Sequence, residues 1–265
     1  MPETPNTAHI NGTHLYYEIH GHGPYLILIE GLGAATWLWE KQLPEFSQHF
    51  TTVMYDNRGS GLSDKPPGPY SISLLADDLA ALMEYLEISQ AYILGVSMGG
   101  FIAQEFALTS PEKVNRLVLA ATGCGGKDQV AMPPEVLKSL MENSGSSRDA
   151  IRRKLSLAFS ETFMNTPQVE HLIDLRLQTP QPRHAFLAQA EAGATFDRSA
   201  DIHLITAPTL ILAASGDKLV PAENANILAR KIPNSQLKIY PGLGHQFWVE
   251  NAAEFNRDVI EFLAT

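Results

Sequence analysis

The stretch that decides the fold of this chain is Ala91-Tyr92-Ile93-Leu94-Gly95-Val96-Ser97-Met98-Gly99-Gly100. Tyr92-Ile93-Leu94 is a short apolar run suited to a buried strand. Phe101, Ile102, Glu105, Phe106 and Leu108 follow at helical spacing, ending near Ser110-Pro111. Between them Gly95-Val96-Ser97-Met98-Gly99 fits G-x-S-x-G, a sharp strand-to-helix turn with a serine at its tip. A serine hydroxyl is a weak nucleophile and must be presented openly to a base and a substrate. Such a turn holds the serine backbone under strain and brings the flanking chain close, and glycines at 95 and 99 remove the Cβ atoms that would collide. The pentapeptide by itself is also compatible with a glycine-rich turn and an idle serine. Its strand and helix, and the partners found further along the chain, favour a nucleophile.

Upstream, His9–Asn11 and His14–His20 read as two strands around the turn Asn11-Gly12. Tyr25–Ile29 is continuously apolar, as a strand buried on both faces should be, and runs into Glu30-Gly31-Leu32-Gly33. A helix is expected over Trp37–Phe46 and a strand over Thr52–Tyr55. The loop Asp56–Asp64 is dense in turn formers, and Ser71–Leu86 is an amphipathic helix. Downstream, Arg116–Ala121, Thr209–Ala213 and Leu237–Tyr240 read as strands, Glu223–Lys231 and Trp248–Leu263 as helices. Strands alternating with helices predict an α/β fold: a mostly parallel central sheet flanked by helices on both faces. In such sheets ligands collect at the C-terminal ends of the strands.

One region breaks the alternation. Between about 127 and 198 no strand is convincing, and helices are expected near Pro134–Glu142, Ser147–Phe163, Gln168–Leu177 and Arg183–Ala194. An inserted helical cap over 127–198, dividing a core of 1–126 and 199–265, explains this better than a long crossover. The polar tract Asn143–Ser147 is expected to be a loop between cap helices.

Composition narrows the function. The chain has 265 residues, 45% of them hydrophobic, enough for a sizeable core. Its formal net charge of −10, from 19 basic and 29 acidic side chains, argues against nucleic acid as a partner, and nothing suggests a membrane surface. Cys124 is the single cysteine, so no intrachain disulfide and no thiolate metal cluster can form. It reads as a small buried hydrophobe rather than a second nucleophile. No His/Cys/Asp spacing suggests a metal. Met1–Asn6 is polar, without the pattern of a leader. These features predict a cytoplasmic, soluble protein, and they leave a homo-oligomer open.

A serine nucleophile needs a base, and the base an orienting acid. Of nine histidines, His245 stands out, in Pro241-Gly242-Leu243-Gly244-His245 directly after the last expected strand. Asp217, in Ser215-Gly216-Asp217, follows Leu210–Ala214 in the same way. An N-cap for the helix near Pro221 would explain it too, but it lies several residues early. The two backbone N–H groups expected to meet an oxyanion are those of Met98, directly after the serine, and Leu32, in the loop after Tyr25–Ile29.

Taken together, Gly31-Leu32-Gly33, Asp56–Ser63, Gly95–Gly99, Gly216-Asp217 and Gly244-His245 resemble the α/β-hydrolase superfamily across nearly the whole chain. The order Ser97, Asp217, His245 is the order of that superfamily. Pro66-Pro67-Gly68-Pro69-Tyr70 and Ser97-Met98-Gly99-Gly100 are most similar to the 3-oxoadipate enol-lactonase and carboxylesterase group. The resemblance implies a serine hydrolase acting on esters or lactones of small molecules, without a cofactor. The serine at 97 argues against haloalkane dehalogenases and epoxide hydrolases, whose nucleophile at that position is an aspartate. Cofactor-free perhydrolysis, carbon–carbon bond hydrolysis and a non-enzymatic ligand receptor are alternatives on the same scaffold.

Many relatives carry His-Gly where this chain has Glu30-Gly31, which puts a carboxylate beside the oxyanion loop. Glu30 is expected to point away and bond backbone or a polar neighbour. Trp37, Val220 and Phe247 are candidates for a substrate pocket. Arg58 reads as structural, and Phe159, Phe163, Leu172 and Phe186 serve cap packing or substrate contact equally well.

Overall fold

Apolar runs such as Leu26-Ile27-Leu28-Ile29 become strands covered on both faces. The computed structural model describes residues 6–142 and 146–265. Among them, β1 (Thr7–Ile10), β2 (Thr13–His20), β3 (Tyr25–Ile29), β4 (Thr51–Tyr55), β5 (Ala91–Val96), β6 (Val114–Ala120), β7 (Thr209–Ala214) and β8 (Ser235–Tyr240) form one eight-stranded sheet. The order is β1-β2-β4-β3-β5-β6-β7-β8. β1 and β2, and β2 and β4, pair antiparallel, and every other neighbour is parallel. Asn11 and Gly12 turn the first hairpin at φ 46° and 70°, the positive values a two-residue turn of this hand requires.

Period-two alternation splits the core into two layers. Ile27 and Ile29 face one side of β3, Leu26 and Leu28 the other. The first layer is closed by α2 (Ile72–Tyr85) and α3 (Met98–Thr109), and later by α9 (Glu223–Lys231). The second is closed by α1 (Leu43–Phe46), α10 (Phe247–Glu250) and α11 (Ala252–Ala264). Between β6 and β7 lie α4 (Pro134–Met141), α5 (Ser147–Ala158), α6 (Glu161–Met164), α7 (Gln168–Gln178) and α8 (Arg183–Ala194). No strand interrupts them among the described residues, only a bridge from Gly125 to Asp197.

Three expected helices are broken, each for a local reason. Trp37–Phe46 is a 3-10 turn over Thr36–Trp39 followed by α1. Pro44 would remove a bond from a continuous helix, and it sits instead in the first turn of α1, where no N–H is needed. Ser147–Phe163 splits at Phe159, whose backbone is extended, because the Ser160 hydroxyl caps α6 by accepting from Phe163 N. Trp248–Leu263 splits at Asn251, whose side chain donates to Glu254 at the start of α11. Of the polar tract, Asn143–Gly145 lie outside the described residues, as do the first five residues. Ser146 and Asp149 form a capping box that starts α5.

The topology fixes where a site can form. β4 returns to one side of β3 and β5 crosses to the other, so the loops after β3 and β5 leave in opposite directions and open a crevice. Among the described residues no helix is long and apolar enough to cross a membrane.

Candidate active site

Ser97 sits at the C-terminal end of β5 with φ 56° and ψ −120°, a conformation that costs a residue with a side chain about 1–3 kcal/mol. The surroundings hold it there. A Cβ on Gly95 would stand 2.2 Å from the Gly99 carbonyl oxygen, so strand and helix can cross this closely only through glycine. The loop after β3 also comes near: a Cβ on Gly31 would meet the Ser97 Cβ at 3.0 Å.

Asp217 and His245 arrive from the next strand ends, after β7 and β8. His245 Nδ1 lies 2.7 Å from Asp217 Oδ2, with the residues 4% and 8% exposed. The other carboxylate oxygen accepts from the backbone N–H groups of Leu219 and Val220, both at 2.8 Å. The aspartate thus ties its own loop and orients the histidine at once. On the far side of the imidazole, Trp248 stands edge-on at 6.0 Å. Glu250 fixes the histidine loop: Oε1 accepts from Gly244 N at 2.8 Å, and the same carboxylate accepts from the Ser160 hydroxyl between α5 and α6.

Ser97 and His245 line one cavity of about 140 Å³, without a hydrogen bond between them. Leu32 and Val220 line it as well. The backbone N–H groups of Leu32 and Met98 donate to nothing among the described residues. For Met98 this follows from its place in the first turn of α3, where a helix leaves its N–H groups unused. Phe247 does not line the cavity: it is fully buried against Tyr240, Trp248 and Phe255 in the core, and its neighbour Trp248 takes the wall. Trp37 lines an adjoining cavity of about 300 Å³ and donates its indole N–H to Thr179.

Glu30 turns away from the cavity. Its Oε1 accepts from Asn57 N at 2.7 Å, and Asn57 Nδ2 donates back to the Glu30 carbonyl at 3.2 Å, so the pair joins the loops after β3 and β4. Complete burial pushes the carboxyl well above its usual range, and the nearby Asp56 adds to this. The same burial favours the neutral carboxyl, which would present no charge to an oxyanion. Arg58 is structural: its Nε and Nη2 hold both oxygens of Asp78 on α2 at 2.8 and 2.7 Å. Cys124 is buried, and burial raises its thiol pKa. Among the described residues no group of three His, Cys, Asp or Glu could hold a metal ion.

Residues 24–252 match the family model described as the alpha/beta hydrolase fold. The chain belongs to this family, and it is a hydrolase. A relative from Serratia proteamaculans (strain 568), named provisionally as the carbamate hydrolase RutD, is 31% identical over 94% of this chain and 96% of its own. The enol-lactonase of Burkholderia xenovorans LB400 superposes with a TM-score of 0.86 at 26% identity, covering 98% of this chain and 100% of that one. The meta-cleavage product hydrolase CumD of Pseudomonas fluorescens IP01 gives 0.86 at 26%, covering 98% and 97%.

Sequence reasoning missed, among others, the two basic residues of the cavity wall, Lys154 and Arg176. A signal was present. On α7, Val169, Leu172 and Ile173 are buried, and Arg176 takes the next position of the same stripe. On α5, Lys154 falls between Ile151, Leu155 and Ala158 in the same way.

Proposed function

We propose that this hydrolase cleaves carboxylic ester or lactone bonds of small molecules through an acyl-enzyme on Ser97. The observation that carries the proposal is a buried histidine, locked by a carboxylate on Nδ1, facing the same cavity as a serine held at positive φ. With Nδ1–H given to Asp217, the Nε2 lone pair is the one able to take a proton from Ser97. Ser97 Oγ attacks the carbonyl carbon, and the N–H groups of Leu32 and Met98 receive the developing oxyanion. His245 then protonates the leaving alcohol and next activates water, which releases the acid and restores the serine. No step needs a cofactor. Val220 and Trp37 serve as substrate contacts, and residues 127–198 act as a cap that forms the cavity roof.

The lactonase likeness supports ring-opening of lactones as one form of this reaction. Carbamates have the same acyl chemistry, and the Serratia relative makes them a necessary arm of the test. The experiment is a panel of p-nitrophenyl esters of increasing chain length, several lactones and a carbamate, with Ser97→Ala as control. Turnover of esters or lactones that disappears in the variant is expected. Turnover that persists in Ser97→Ala would refute the assignment. The likeness to CumD favours adding a carbon–carbon substrate of the meta-cleavage type, whose exclusive turnover would replace the ester reading.

A further inference from the structure

We propose that the cavity over Ser97 takes substrates carrying a carboxylate away from the scissile carbonyl, and that Arg176 receives it, with Lys154 adding positive charge. The identity of the reacting bond rests on the hydrolase reading above, whereas the anion subsite stands on geometry of its own.

Arg176 stands where an apolar residue would otherwise continue the buried stripe of α7. Its Nε is enclosed and has no hydrogen-bond partner. Among the described residues the guanidinium makes neither an ion pair nor a hydrogen bond, and its neighbour is the Trp37 ring, 5.3 Å away. Two other arginines are treated differently. Arg58 is bidentate to Asp78, and Arg198 holds both oxygens of Glu105 at 2.6 Å. Arg176 is half-buried, and a guanidinium partly withdrawn from water without an anion carries a desolvation cost that an arriving anion offsets. Burial lowers the Arg176 pKa to about 10, which still leaves it charged at neutral pH.

Lys154 strengthens the site rather than neutralising it. Its ammonium stands 4.8 Å above the Phe186 ring, and burial together with the charge of Arg176 lowers its pKa. Both cations line the cavity of Ser97 and the adjoining one, so they sit on the passage between the two. In a protein of net charge −10, two such cations on one apolar wall select for an anionic ligand. A carboxylate fits best, since its two oxygens match the planar fork of a guanidinium.

Two matched series test this by pH-stat. The first sets monoethyl succinate, glutarate and adipate against ethyl butanoate, pentanoate and hexanoate, with the acid on the acyl side. The second sets 4-acetoxybutanoate against butyl acetate, with the acid on the alcohol side. In at least one series the wild type should prefer the acid roughly 10-fold or more in kcat/KM, mostly through KM, and Arg176→Gln should cut that ratio by about 10- to 100-fold. Arg176→Lys should retain part of it, and serves as the folded substitute if the glutamine variant lacks the wild-type circular dichroism spectrum. An acid-to-neutral ratio at or below one in both series would overturn the proposal, as would a ratio unchanged in folded Arg176→Gln. If no ester of either kind is turned over, the ester reading fails separately. Calorimetric titration with glutarate and adipate then decides the subsite: binding lost in Arg176→Gln supports it, and no binding to the wild type overturns it.

Discussion

Arg58, buried, and Arg176, half-buried, show how differently the sheet and the helices above it use a positive charge. Arg58 reaches from the loop after β4 into a two-pronged pair with Asp78 on α2, and also donates to the Asn11 carbonyl in the first hairpin. Three elements are tied by one satisfied group. Arg176 lies along a cavity wall with its Nε enclosed and unpartnered. The paired charge fixes structure, whereas the unpaired one is kept for something that enters from outside. The chemistry follows the same division. Ser97, Asp217 and His245 belong to loops at strand ends, while Lys154, Arg176 and Phe186 of the cavity wall belong to helices between β6 and β7.

The comparison predicts that changes at the strand ends slow every substrate alike, and that changes in the helices above alter the ratio between substrates. The largest effect is expected at the serine and the base: Ser97→Ala or His245→Ala should lower kcat by about 10⁵-fold or more on all esters turned over, acid or neutral. Loss confined to one class of ester would break the division. Asp217→Asn should cost about 10⁴-fold in kcat, because the amide no longer favours the imidazole tautomer with hydrogen on Nδ1. Stopped assays across the ester panel measure both.

Stability separates the two arginines next. Asp78→Ala strands Arg58 and should cost about 3–5 kcal/mol in urea unfolding. Arg176→Gln removes a charge that had no partner to lose, so its unfolding free energy should stay equal to wild type or rise. A destabilisation as large as that of Asp78→Ala would mean that Arg176 is held by the fold itself.

The smallest effect concerns Glu30. Its folded pKa is raised, so its contribution to stability is fully present below the unfolded carboxylate value of about 4.3 and is lost as pH rises through the folded value. The melting temperature of the wild type should therefore fall more steeply than that of Glu30→Gln as pH rises above the unfolded carboxylate value of about 4.3. Asp56, raised in the same direction, leaves some slope in the variant. Parallel curves for the two proteins would show that the buried carboxyl carries no such linkage.

How far the sequence discloses this molecule depends on whether a constraint is local. The turn at Ser97 is legible because close backbones force glycine at 95 and 99, and although the backbone beside Gly99 belongs to the loop after β3, the outcome is written within five residues. Asp217 and His245 are legible as polar residues just past apolar runs, which places them at one edge of a parallel sheet before any contact is known. The broken helices are only partly legible: Pro44 marks one break in the sequence itself, whereas Ser160, which caps α6, is also held by Glu250, ninety residues away. Phe247 and Trp248 show the same limit at the scale of one residue. Composition cannot say which of two adjacent aromatics faces the cavity, since the rotation of α10 is set by the packing of Tyr240 and Phe255. Arg176 was written as a charge on an apolar stripe, a pattern whose meaning appears only when the stripe is seen to end at a cavity.

The central claim is that Ser97 is a nucleophile activated by His245, and intact mass after exposure to a fluorophosphonate tests it most directly. The account predicts one adduct per chain, mapped to Ser97, absent in Ser97→Ala and much slower to form in His245→Ala. An unlabelled wild type, or an adduct that persists in Ser97→Ala, would contradict it.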